Sequence, residues 1–236
     1  MSDSPLTEGL AALSRFFVGD GTVDETLRRV AELTVEVVPG ADLAGITMLI
    51  EGRARTAVFT DERAPAIDRT QYETGRGPCL EAFETGRSFT IDDTREPGPW
   101  PEFRKTALDH GVLSTLSLPL AVNKTGIGAM NIYGTRARAF PEQDRSVAEL
   151  FATKAAIVIA NSNAYWDARE LSERIGESMK HRSVIEQAKG MLMAAQHCDE
   201  QAAFDLLIRA SQRENVKLRD IAQRIVNEAM HPRTAP

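Results

Sequence analysis

Cysteine is scarce. The 236-residue chain has two, Cys79 and Cys198, and they form no metal-ligand spacing. Free thiols in a reducing compartment are the expectation. The histidines, His110, His181, His197 and His231, are equally scattered, so no metal site is expected. Positive charge is not in excess: 28 Lys and Arg face 34 Asp and Glu, for a net charge of −6. This excludes a protein that coats nucleic acid by bulk charge, and any RNA recognition must be local and led by shape. Long apolar runs are missing, none reaching the ~18 residues of a membrane span. Residues 1–5 lack the basic region and apolar core of a secretory signal, so a cytoplasmic location is expected. What remains is an ordinary globular composition, 42% hydrophobic and 26% charged, with room for one large or two modest domains.

Residues 6–18 read as a helix with Leu10, Leu13 and Phe17 on one side, broken by Gly19 and Gly21. Thr22 and Glu25 make a capping box for a second helix carrying Leu27, Val30, Ala31, Val37 and Val38, which Pro39-Gly40 ends. Residues 44–51 and 54–60 read as strands joined at Gly52. The strand signal then lapses. Residues 72–79 form a turn-rich loop, 80–85 a short helix closed by Gly86, 88–91 a short strand and 102–110 a helix. Two more strands follow at 112–122 and 127–133, joined by residues 123–126, with Val112, Ser114, Leu116, Leu118 and Leu120 on one face. Helices, sheet, a long excursion and a final hairpin make an α+β pattern.

A helix begins at Pro141, and no proline recurs until Pro232. Phe151, Ala155, Ala156, Val158 and Ile159 hold it on the sheet, and Tyr165, Ala168, Leu171 and Ile175 continue in a 3-4 rhythm. One connecting helix is expected to run into the C-terminal region. Ser178 and Arg182 interrupt its seam, which fits a switchable coiled-coil dimer; a monomeric amphipathic linker is the alternative. Val184, Ala188, Met191 and Ala195, with Ile185 and Leu192 alongside, then form one apolar stripe. Gly190 stands inside it at a cost of about 1 kcal/mol relative to alanine, which points to close approach of a packed helix or a ligand. Asp199 caps a helix over 200–212 that buries Ala203, Leu206, Leu207 and Ala210, and Asn215 is a left-handed stop. Residues 217–230 carry Leu218, Ile221, Ala222, Ile225 and Val226 on one face, completing an all-α three-helix unit.

The run from Arg182 through Ser183, Val184, Ile185, Glu186, Gln187, Ala188, Lys189, Gly190, Met191 and Leu192 to Met193 resembles the ANTAR signature. The likeness continues through Ala202-Ala203-Phe204, Leu207, Arg209, Ser211, Lys217-Leu218, Asp220, Ala222 and Ile225-Val226. Upstream, Gly75-x-Gly77-Pro78-Cys79, Trp100-Pro101-x-Phe103, residues 117–120 and residues 126–133 resemble a GAF sensor domain. The organisation implied is an N-terminal helix (1–18), a GAF domain (19–163), a connecting helix (164–181) and an ANTAR domain (182–230).

The resemblance implies a non-enzymatic, signal-responsive RNA-binding transcription antiterminator. It would act as a homodimer on tandem hairpins in a nascent mRNA leader, in the context of RNA polymerase, and prevent an overlapping terminator. Two rivals stand beside it: a DNA-binding regulator, with residues 203–226 as a helix-turn-helix mimic, and a GAF-type methionine sulfoxide reductase. The reductase needs a resolving cysteine, which the sensor region lacks. No catalytic residue is assigned. For RNA the candidates are Arg182, Ala188, Lys189, Gly190, Arg209, Ser211 and Lys217, cations for phosphates with a hydroxyl and an open backbone beside them. A solvated mixed-charge surface is the bland reading, since Glu186, Asp205, Glu214 and Asp220 are interspersed. Tyr72, Cys79, Asp92 and Trp100 are candidates to line a sensor pocket for a small-molecule ligand. Cys79, at a helix start, is either a redox-active thiol or a buried inert one.

Overall fold

The computed structural model describes residues 5–15, 21–50 and 53–230. Phe17, the break at Gly19 and the hairpin glycine Gly52 lie outside them. The chain divides into two compact units, Met1–Trp166 and Asp167–Pro236.

In the first unit, β1 (Leu43–Ile50), β2 (Arg53–Phe59), β3 (Phe89–Ile91), β4 (Ser114–Val122) and β5 (Thr125–Gly134) form one sheet. Its order is β2-β1-β5-β4-β3, with each of these pairs antiparallel. Asn123 and Lys124 both have positive φ, 51° and 66°, as a two-residue hairpin turn requires. The turn is therefore shorter than expected, and β5 starts at Thr125 rather than Ile127.

Alternation divides the sheet into two unlike faces. Ile46, Leu116, Leu118, Leu120, Met130 and Ile132 point to one side. There they pack on α1 (Pro5–Arg15), α2 (Val23–Val37) and the start of α6 (Glu142–Gln196). The expected capping box opens α2: Glu25 N donates to Thr22 Oγ1 at 3.2 Å, and Thr22 N donates to Glu25 Oε2 at 2.6 Å. Small residues, Ala148, Ala152, Ala155 and Ala156, let α6 lie close, with Phe151 and Ile159 filling the space between them. On the other side, α3 (Arg63–Thr74), α4 (Pro78–Thr85) and α5 (Pro101–Asp109) enclose Leu43, Ile91, Trp100, Phe103 and Tyr133. Val112 belongs to this second cluster, not to the face of Leu116, because it precedes β4 and escapes its alternation.

Helix α3 was not expected. Its segment read as an interruption and a loop, yet Tyr72 lies within the helix and Gly75, at φ 67°, ends it in the left-handed region.

The second unit consists of the C-terminal part of α6, α7 (Glu200–Glu214) and α8 (Leu218–Met230) around Ala188, Leu207, Ile221, Ala222 and Val226. Asp199 Oδ1 accepts from Ala202 N at 2.8 Å, and Asn215 stops α7 at φ 52°, both as the spacing required. Ala195 is exposed, so the apolar stripe of α6 ends at Leu192. No helix among the described residues is long and apolar enough to cross a membrane.

Phe151 is fully buried between α6 and the sheet. Phe151→Ala should lower the unfolding free energy of the first unit by about 3–5 kcal/mol, read as a lower urea midpoint at an unchanged slope.

Candidate functional sites

On the sheet face covered by α3, α4 and α5, several side chains are polar where a core would be apolar. Thr47 (β1), Thr56 (β2), Ser117 (β4) and Asn131 (β5) lie beneath α3 and α4. α3 answers with Ala64, Ile67, Asp68 and Gln71, which share one buried face. Asp68 is completely buried. Its Oδ1 accepts from Tyr133 OH at 2.6 Å, Gln71 Nε2 at 2.8 Å and Asn131 Nδ2 at 3.0 Å, and its Oδ2 accepts from Thr56 Oγ1 at 3.0 Å. No cation is among these partners. Burial therefore dominates and pushes the Asp68 carboxyl up to about 6, against the pull of its donors.

A hydroxyl chain leads away from Oδ2. Thr56 Oγ1 lies 2.9 Å from Tyr72 OH, Tyr72 OH lies 2.7 Å from Thr47 Oγ1, and Cys79 Sγ donates to Thr47 Oγ1 at 3.3 Å. Each group can donate one step toward the carboxylate. If Asp68 is protonated, the chain reverses and every member keeps a partner. Gln71 ties the next helix to this network, because its Oε1 accepts from Cys79 N at 3.0 Å. Gly77 makes that approach possible: a Cβ there would lie 2.3 Å from Gln71 Cβ. Thr115 Oγ1, on the same sheet face, is buried without a hydrogen-bond partner among the described residues.

The four proposed pocket residues do not converge. Tyr72 and Cys79 meet on Thr47. Trp100 packs edge-on against Phe89, with ring centroids 5.6 Å apart, and donates Nε1–H to Glu81 at 2.6 Å. Asp92 is exposed and pairs with Arg145 of α6 at 2.8 Å. The cavity beside Thr47, Cys79 and Phe83 measures about 10 Å³, room for one water at most. Cys79 is fully buried, and burial, with the Asp68 carboxylate adding to it, pushes its thiol up to about 12. The inert reading of Cys79 fits this setting better than the redox one. Asn131 and Ser117 went unassigned in the sequence because polar residues alternating along strands read as a solvated face, and Asp68 because a polar residue on a helix counts as solvated.

The second unit sorts its candidates differently. Ala188 is core and Lys189 is only 7% exposed. Lys189 Nζ donates to Glu186 Oε1 at 3.2 Å, Glu186 Oε2 at 2.9 Å and Glu200 Oε1 at 2.5 Å, and stands 5.8 Å from the centre of the Phe204 ring. Glu200 first, then Glu186, hold the ammonium above the ordinary lysine range. Ser211 Oγ donates to Val216 O at 2.6 Å, closing the α7–α8 turn. Gly190 is exposed, and a Cβ there would meet nothing within 4 Å. The packed-helix explanation for this glycine therefore fails within the described residues, and the open backbone remains. Arg182, Arg209 and Lys217 are exposed and make no ion pair among the described residues.

Comparison with known families matches the GAF domain model at residues 20–160 and the ANTAR domain model at residues 173–226. The chain belongs to the GAF domain family and carries a C-terminal ANTAR domain. Solved structures show the sensor fold. A sensor histidine kinase domain from Sinorhizobium meliloti is 14% identical, with TM-score 0.52, over 64% of this chain and 99% of that one. fRMsr of Staphylococcus aureus in its reduced form is 15% identical, with TM-score 0.52, over 67% and 97%. Free methionine-R-sulfoxide reductase from Neisseria meningitidis is 17% identical, with TM-score 0.52, over 67% and 88%. At these identities the likeness concerns the fold alone. No curated protein matches the chain.

Two outcomes follow for the GAF network. A carboxyl raised from 3.8 to about 6 stabilises the fold fully below the unfolded value, and that contribution is lost as pH rises through 6. In Asp68→Asn, the amide oxygen can take the Oδ1 donors and the amide nitrogen can donate to Thr56. The variant should therefore gain stability relative to wild type between pH 4 and 7, by up to about 3 kcal/mol, measured as paired urea melts across that range. For the thiols, a native-state labelling time course should show Cys198 reacting fast and Cys79 only after unfolding.

Proposed function

We propose that the protein is a transcription antiterminator in which the GAF domain gates RNA binding by the ANTAR unit. The observation that carries this reading is the ANTAR match over residues 173–226, together with Arg182, Arg209 and Lys217, exposed and without an ion pair among the described residues, and the open backbone at Gly190. These cations suit phosphate contacts that set position, while local shape supplies recognition. The net charge of −6 leaves no bulk attraction to do that work.

Homodimerisation, and with it capture of two hairpins by one assembly, draws support from the apolar side chains of α6 at Leu171, Ile175 and Met179, which are 52%, 52% and 68% exposed. Two hairpins held side by side in an mRNA leader would deny their bases to an overlapping terminator while RNA polymerase passes. The GAF unit would supply the signal, in the cytoplasm, through a small-molecule ligand or a change in the buried network. The reductase reading loses support from Cys79, whose thiol is buried and held protonated and has no second cysteine in its unit.

The test is binding of the purified chain to a tandem-hairpin RNA, a single hairpin and duplex DNA. Selective binding of the tandem RNA is expected, with log affinity falling linearly with log salt. Arg182→Ala, Arg209→Ala and Lys217→Ala should each weaken binding and lower that slope by roughly one. Preference for duplex DNA would establish the rival regulator instead.

A further inference from the structure

A recess of about 390 Å³ opens between the β3 edge of the sheet and α6. Its cause is a proline. β3 pairs with β4 at Phe89 with Ser117, Thr90 with Leu116 and Ile91 with Thr115. The same register would set Arg87 opposite Pro119, but proline has no N–H to add to a ladder, and pairing stops at Phe89. Arg87 and Ser88 therefore stand off the sheet and border a gap whose apolar lining is Leu118, Pro119 and Ala152.

Two opposite charges line this gap without meeting. Ser88 Oγ donates to Glu149 Oε1, while Glu149 Oε2 has no hydrogen bond among the described residues. Arg87 is exposed, and its guanidinium has neither an ion pair nor a hydrogen bond among them. An exposed Arg–Glu pair is worth only about 0–1 kcal/mol, so keeping the two apart costs little and leaves both available. One cation and one anion make the recess neutral, which disfavours a simple anion and a simple cation alike. A small zwitterion with an apolar body suits it, and the volume is that of a single small-molecule site.

We propose that this recess binds a free α-amino acid with an apolar side chain. Its carboxylate takes two parallel N–H bonds from Arg87, its ammonium donates to Glu149 Oε2, and its side chain lies on Pro119 and Ala152. Ser88, which holds the Glu149 carboxylate, is a positioning residue. The site is distinct from the closed cavity beside Thr47 and Cys79. Glu149 and Ala152 belong to α6, which continues into the second unit, so the ligand touches the element that both units share. Its role as the signal rests on the antiterminator reading; its binding does not.

The test is a calorimetric titration of the full chain, without RNA, with L-alanine, L-valine, L-leucine and L-methionine at millimolar concentration. Saturable binding of at least one is expected. The amide of that amino acid lacks the carboxylate, and the matching carboxylic acid lacks the amino group; each should bind about tenfold more weakly or worse. Glu149→Gln, whose amide oxygen still takes Ser88, and Arg87→Gln should weaken the amino acid by a similar factor without moving the thermal melt. The analogues leave the protein untouched, so that arm stands even where a variant folds poorly. No saturable binding by any of the four overturns the inference, as does an analogue that binds as well as the amino acid, or a Kd unchanged in both variants. Tandem-hairpin affinity is then measured with and without the amino acid. A change is expected, and an unchanged affinity removes the signalling role alone. Absence of RNA binding in both states overturns the antiterminator reading and leaves the site.

Discussion

A carboxylate buried without a cation sets the terms for the first unit. Asp68 is wholly enclosed, and four donors from α3, β2 and β5 converge on it. Removing any one donor would leave part of a buried charge unmatched, which is costly in a low-dielectric interior. The network therefore fixes where α3 lies on the sheet. Through Gln71, and the space left by Gly77, it also fixes where α4 begins. An apolar interface would hold the same helices without this sensitivity. A polar one responds to protonation, because the chain through Thr56, Tyr72 and Thr47 has two self-consistent directions.

The second unit solves an opposite problem with the same chemistry. A nearly buried cation, Lys189, is matched by two exposed carboxylates, so the charge is compensated where it stands. The exposed cations of the unit, Arg182, Arg209 and Lys217, are left for the surface. Under the proposed RNA-binding reading, these cations are what the unit offers a phosphate backbone. That reading fits a chain whose net charge is negative, since bulk attraction is then missing.

The sequence showed most clearly what apolar periodicity and capping chemistry write. The Thr22–Glu25 box, the long α6, Asp199 as cap and Asn215 as stop all stand where their spacing put them. Helix α3 was illegible because its buried face carries Asp68 and Gln71, residues that periodicity counts as solvated. The same blindness hid Thr47, Ser117 and Asn131, which alternate with core residues on their strands. The Ala188-Lys189-Gly190 triplet was legible as a motif but not in its parts. Glu186 lies one helical turn from Lys189 and can be read from spacing, whereas Glu200 arrives from the next helix. The pocket drawn from Tyr72, Cys79, Asp92 and Trp100 joined residues by character, and only Tyr72 and Cys79 share a neighbour, Thr47.

The account of the first unit turns on burial outweighing hydrogen bonding at Asp68. A carbon-13 NMR titration of its side-chain carboxyl in the native protein measures this directly. A midpoint near 6 is predicted. A midpoint at or below the ordinary aspartate value, about 3.9, would mean that the donors govern the charge. The carboxylate would then be a settled structural anion, and the reversible hydroxyl chain would have no role at physiological pH.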